Sequence, residues 1–180
     1  QEGTLTVTNR EAKYEITVKA NSATATYDGK EHEAVGVKTY EFTVEGNSYT
    51  VSGLSTEDPK QKDAGSYTNN ITGTPVVTDK EGNVVTSEFE VKTENGSLEI
   101  GKAAVTLKSA TLSKKYDGNA LVNGDTALEI ESGFAEGEGA TYNFTGSQTV
   151  VGSSANAFSY ELNSNTNIDN YEISKQKGTL

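Results

Sequence analysis

The stretch SATATYDGKEHEA, Ser22 to Ala34, returns in altered form as ATLSKKYDGNALV, Ala110 to Val122. Each carries a Tyr-Asp-Gly tripeptide: Tyr27-Asp28-Gly29 and, 89 residues later, Tyr116-Asp117-Gly118. A strand-like segment lies upstream of each. Ile16, Val18 and Ala20 alternate with polar residues in YEITVKANSATAT, and so do Val105 and Leu107 in AAVTLKSATLSKK. Period-two alternation marks a strand with one buried face. The tripeptide has the chemistry of a corner. Its tyrosine packs on a sheet edge, its aspartate accepts local backbone N–H groups, and its glycine supplies a positive φ. A corner used twice predicts a module used twice.

The module ends match as well. SEFEVKTENGSLEIGK (Ser87 to Lys102) parallels DNYEISKQKGTL (Asp169 to Leu180): aromatic-x-aliphatic, a polar turn, then Gly-x-Leu. The pattern reads as a hairpin, with Phe89 and Val91 on one strand and Leu98 and Ile100 on the next. EGTLTVTNREAKYEITV resembles NGSLEIGKAAVTL, so residues 1–8 read as the closing strand of an upstream module, and the chain is expected to continue in both directions. Module 1 is then expected at 9–101 and module 2 at 102–180. Their join at Gly101-Lys102 is too short for a flexible tether.

Two further hairpins are predicted, YEFTVEGNSYTVSGL around Gly46-Asn47 and PVVTDKEGNVVTSEFEV around Glu81-Gly82-Asn83. ALEIESGFAEGEGATYNFTG predicts two strands about a glycine-rich turn. STEDPKQKDAG contains Pro59 and lacks an apolar face, which limits it to a short turn. The expected fold is all-β: two tandem immunoglobulin-like β-sandwich modules, with helix-poor β-grasp modules as the alternative. Asp63-Ala64-Gly65-Ser66-Tyr67 resembles the Asp-x-Gly-x-Tyr corner of immunoglobulin-like domains, and Asn69 stands where antibody domains place a cysteine. In module 2 the counterpart is VGSSANAFSYEL, where either Gly152 or Phe158 aligns with Gly65.

Composition narrows the function. The 180 residues carry a net charge of −11, which opposes nucleic acid and anionic membrane surfaces. No apolar run is long enough to cross a bilayer. Cysteine, methionine and tryptophan are absent, so thiol chemistry and disulfides are excluded. His32 is the one histidine; among charged neighbours it reads as a solvated residue. Glu31, Glu33, Glu131, Glu136 and Glu138 show no pattern of burial that would tune a catalytic pair, and the chain reads as non-enzymatic. No cofactor is expected apart from calcium, whose candidate ligands are Asn123 and Asp125 in one loop and Asn163, Asn165, Asn167 and Asp169 in another. The bland reading of these residues is turn formation. Tyr40, Tyr49 and Tyr142 are the candidate platforms for a glycan or host protein. An intramolecular isopeptide bond would draw on Lys19 or Lys108 with Asn170 or Asn70.

Tyr-Asp-Gly, the Asp63–Tyr67 corner and the closing strands, in that order, resemble the Tyr-Asp-Gly repeat modules, and the related MBG modules, of large surface proteins of Firmicutes. The match covers nearly all of module 2. In module 1 it covers Tyr27 to Gly29, Asp63 to Tyr67 and Phe89 to Ile100, and departs at STEDPKQKDAGSYTNN. The resemblance implies an extracellular, cell-wall-attached protein whose modules form a stalk or spacer, with neighbouring modules of the same chain as partners. It implies no catalytic activity. The competing expectation is an adhesive module that binds a glycan or a host protein.

Overall fold

The computed structural model describes residues 3–8, 11–124 and 127–180. The fold is all-β. The first repeat contains β1 (Tyr14–Lys19), β2 (Ala23–Thr26), β3 (His32–Glu33), β4 (Glu41–Val44), β5 (Asn47–Thr56), β6 (Lys60–Gln61), β7 (Gly65–Asn69), β8 (Ile71–Asp79), β9 (Phe89–Glu94) and β10 (Gly96–Gly101). The second contains β11 (Ala103–Lys108), β12 (Leu121–Val122), β13 (Ile130–Ser132), β14 (Ala140–Phe144), β15 (Ser147–Gln148), β16 (Ala155–Asn156), β17 (Phe158–Leu162), β18 (Tyr171–Gln176) and β19 (Gly178–Thr179). Among the described residues the only helical features are two three-residue 3-10 turns, Thr86–Glu88 and Ile168–Asn170.

Two compact units emerge. Unit 1 gathers residues 1–25, 31–61 and 66–99; unit 2 gathers 26–30, 62–65 and 100–180. Two short segments from within the first repeat thus count with unit 2. In unit 1, Ile16, Val18, Val51, Val77 and Phe89 form a buried cluster, with the Tyr49 ring edge-on to Phe89 at 4.8 Å. In unit 2, Val105 and Leu107 of β11 are buried together with Phe158 and Tyr171. Each fully buried valine or leucine contributes about 1.5–3 kcal/mol, which suits a chain lean in apolar residues.

The repeat is visible in the pairing. β1 runs parallel to β9, Tyr14 opposite Phe89 through Lys19 opposite Glu94. β11 runs parallel to β18 in the same register, Ala103 opposite Tyr171 through Lys108 opposite Gln176. The small pairs repeat too: His32 faces Gln61 as Leu121 faces Gln148. The expected hairpin of the closing strands is not formed. β9 and β10 lie in different sheets, β9 on β1 and β10 between β2 and β7. One residue, Asn95, separates them, too few for a reversal, so the chain shifts its pairing instead. The predicted hairpin about Gly46 is present as β4–β5. The turn at Glu81 to Asn83 is also present, but its return arm is a single bridge, Thr78 to Val84, before the chain leaves for β1. Residues 3–8, expected as a closing strand, carry no strand pairing, and Leu5 and Val7 are fully exposed.

The shift of partner is made where two chain segments cross. A Cβ on Gly96 would fall inside the contact radius of the Asn21 carbonyl oxygen, and one on Gly178 inside that of Ala110. Only glycine permits that approach. Beside each crossing sits a fully buried asparagine. Asn69 Nδ2 donates to the Asn21 carbonyl (3.2 Å) and its Oδ1 accepts from the Asp58 N–H (3.0 Å). Asn156 Nδ2 donates to the Ala110 carbonyl (2.9 Å) and to Asn123 Oδ1 (2.7 Å). Buried Ser109 completes the second crossing, donating to the Asn156 carbonyl and accepting from the Gly178 N–H. The alignment of the second corner follows: Gly152, four residues before Asn156, matches Gly65, four before Asn69.

Asn69→Ala removes the partner of the part-buried Asp58 N–H and of the Asn21 carbonyl, and is expected to destabilise unit 1 by about 2 kcal/mol. Urea unfolding should show a lower midpoint at unchanged slope. Gly178→Ala is expected to cost more than about 2 kcal/mol, whereas Gly124→Ala, with open space around it, stays within about 0.5 kcal/mol.

Candidate functional site

The two Tyr-Asp-Gly corners share one backbone. Asp28 Oδ1 accepts from the Lys30 N–H (2.9 Å) and Asp117 Oδ1 from the Asn119 N–H (2.9 Å), and both glycines sit at φ 79°. This is an Asx-type turn that a glycine completes without strain. The hydrogen bond from the Lys114 side chain, and then that from the Asn119 N–H, holds the Asp117 carboxyl below its usual range. The tyrosines differ. Tyr27 is buried, while Tyr116 is 66% exposed.

Tyr27 belongs to a polar cluster of unit 2. Its hydroxyl donates to Glu138 Oε1 (2.5 Å), and the Tyr171 hydroxyl donates to Glu138 Oε2 (2.6 Å). The Tyr171 hydroxyl in turn accepts from the Ala135 N–H (3.0 Å). The two tyrosine rings meet edge-to-face at 5.3 Å, and Phe134 packs on Tyr171 at 5.2 Å. Beside them Asn170 Oδ1 accepts from the Ala64 N–H (2.8 Å), and its Nδ2 donates to Asp63 Oδ1 (2.9 Å). Lys62 Nζ is 3.8 Å from Glu138, but it is half exposed and adds little.

The Glu138 side chain is 7% exposed. Both of its oxygens accept from phenols, which makes it a structural acceptor rather than an open base. Burial first, then the Glu138 hydrogen bond, raises the Tyr27 phenol; the same causes push Tyr171 up to about 12. Glu138 is placed by the asparagine-rich run. Asn165 Nδ2 donates to the Gly137 carbonyl (2.8 Å), and Thr166 Oγ1 accepts from the Gly139 N–H (2.9 Å). Asn167 caps the following 3-10 turn by accepting from the Asp169 N–H.

Asp63 joins the cluster. Gly65 opens β7, Tyr67 lies half-buried within it, and Asn69 ends it buried. Of the calcium candidates, Asn165 and Asn167 are engaged as loop clamps, Asn123 accepts from Asn156, and Asp125 lies outside the described residues. No group of three or more metal-ligating His, Cys, Asp or Glu side chains exists among the described residues. The candidate platforms lie in separate units: Tyr40 is part-exposed and Tyr49 packs on Phe89 in unit 1, while Tyr142 packs on Phe158 in unit 2. The buried Tyr142 hydroxyl has no hydrogen bond of good geometry among the described residues; burial, then nearby Glu131, raises its pKa. Lys19 pairs with Glu94 and Lys108 with Glu129, while Asn70 bonds Glu57 and Asn170 bonds Asp63, so all four isopeptide candidates are engaged elsewhere. His32 lies in β3 opposite Gln61. Glu138, read from sequence only as one of several turn carboxylates, is the residue the structure promotes. Compared with known protein families, curated proteins and solved structures, the chain finds no match.

The raised phenols set an alkaline limit. A group whose folded pKa exceeds its unfolded value of about 10 stabilises fully below that pH and loses the contribution as pH rises through the folded value. Thermal melting of unit 2 should therefore drop steeply between about pH 10 and 12, with delayed phenolate absorbance from Tyr27, Tyr142 and Tyr171. Glu138→Gln is expected to cost about 2 kcal/mol at neutral pH, because an amide nitrogen cannot accept the second phenol.

Proposed function

We propose that this chain is a non-catalytic spacer, a load-bearing repeat segment of a bacterial cell-surface protein, with each repeat an immunoglobulin-like sandwich. The observation that carries the reading is the parallel pairing near the ends of each repeat, β1 with β9 and β11 with β18, six residue pairs each. When such a repeat is pulled from its ends, parallel strands slide along each other, and the bonds between them must yield together rather than one by one. A segment under tension gains from that geometry. The cysteine-free composition and the net charge of −11 support the same reading, since resistance to load then rests on strand pairing and the acidic surface favours solubility. The buried asparagine at the place of the immunoglobulin cysteine supports the sandwich.

Single-molecule extension of the full chain from its two ends tests this. Each repeat should give one sharp rupture, and Val105→Pro, which places a proline in the central strand of the β13–β11–β18 sheet, should lower the force of one event only. Gradual extension at low force would remove the load-bearing reading. Saturable binding of a glycan or matrix protein by the same folded chain would put the adhesive reading in its place.

A further inference from the structure

The register of the small strand pairs makes the repeats comparable residue by residue. Tyr116 corresponds to Tyr27, and Thr149, Val150, Val151 and Gly152 correspond to Lys62, Asp63, Ala64 and Gly65. The two sets have different surroundings in unit 2. In the first, Tyr27 is buried against Glu138 and Tyr171, and Asn170 bonds the Ala64 N–H and the Asp63 side chain, although Asp63 itself stays exposed. The second is bare: Tyr116 is 66% exposed, Val150 70% and Val151 85%. Together with Ser113, Leu121 and Leu180, these residues line a groove of about 180 Å³.

We propose that this groove is a docking face for a further copy of the second repeat. The copy would bring the counterparts of Glu138, Asn170 and Tyr171 onto Tyr116 and the Val150-Val151 backbone. The inference deepens the spacer reading and rests on it. Its chemistry follows the covered set. The Tyr116 hydroxyl donates to the incoming carboxylate, the Val151 N–H to the incoming asparagine oxygen, and the tyrosine ring takes an incoming aromatic edge. Lys115, next to Tyr116, suits an acidic corner that carries counterparts of Glu136 and Glu138, while Lys114 is already paired with Asp117. Val150 and Val151, where the first repeat has Asp63 and Ala64, make the contact more apolar. Neighbouring repeats seated this way would leave no large apolar patch in water.

The test extends the full chain. Gly178 matches Gly96, so Leu180 matches Leu98, and a second copy of residues 99–180 placed directly after Leu180 reproduces the natural join. Amide hydrogen exchange at residues 116–119 and 149–152 is expected to slow by roughly tenfold or more in the extended chain. Glu138→Gln in the appended copy should reverse part of that protection. Tyr116→Ala in the unextended chain should leave its melting temperature unchanged, since the ring has no partner there to lose. Unchanged exchange beside a folded appended copy, an appended copy that stays unfolded, or a clear loss of stability from Tyr116→Ala would each overturn the proposal. A failure of the spacer reading shows in the force or binding measurements and leaves these exchange rates as they are.

Discussion

Each repeat depends on one close crossing of the chain with itself. The first long strand leaves one pairing partner and takes another at Asn21, and again at Ala110. At both places it passes a glycine with no room for a side chain. Two backbones that close bury peptide groups that no ladder serves, and a buried peptide group without a partner costs as much as a lost hydrogen bond. The buried asparagines answer this, supplying a donor to the crossing carbonyl in both repeats. The parallel registers of β1 with β9 and β11 with β18 are set on one side of the crossing, and the corner segments on the other.

The Tyr-Asp-Gly tripeptide acquires its meaning downstream of that crossing. Its aspartate and glycine perform the same local task twice, and the task needs nothing beyond the turn itself. The tyrosine is different, because its value depends on what lies opposite. Opposite Tyr27 stands Glu138, sunk among aromatic rings, where low local polarity strengthens each hydrogen bond and makes an unpaired group costly. Opposite Tyr116 there is solvent.

Much of the fold was legible in the sequence. Alternation about Ile16, Val18, Val105 and Leu107 located the first strand of each repeat, and Gly46-Asn47 with its flanking strands located the β4–β5 hairpin, whose turn residues fall one position earlier, at Glu45 and Gly46. The closing strands misled because Phe89-x-Val91 and Leu98-x-Ile100 alternate as a hairpin would. Alternation reports burial on one face and is silent about which strand lies alongside. The Asn163–Asp169 run looked like a ligand set, since amide and carboxylate oxygens serve cations and loop backbones equally well. Glu138 was hidden for another reason. Its burial arises from Tyr27, Tyr171 and the Asn165–Thr166 clamp, drawn from three separated segments, while its own neighbours are glycines. Gly65-x-x-x-Asn69 and Gly152-x-x-x-Asn156 share a spacing that pins the corner of the second repeat.

The crossing is the claim on which the rest stands, and its asparagines report on it directly. Side-chain amide hydrogen exchange, followed by nitrogen-15 NMR on the folded chain, distinguishes a bonded buried amide from a solvated one. The account predicts slow exchange for the Nδ2 protons of Asn69 and Asn156, against fast exchange for exposed Asn143. Fast exchange at both buried asparagines, in a chain whose β1 and β11 backbone amides remain protected, would contradict it.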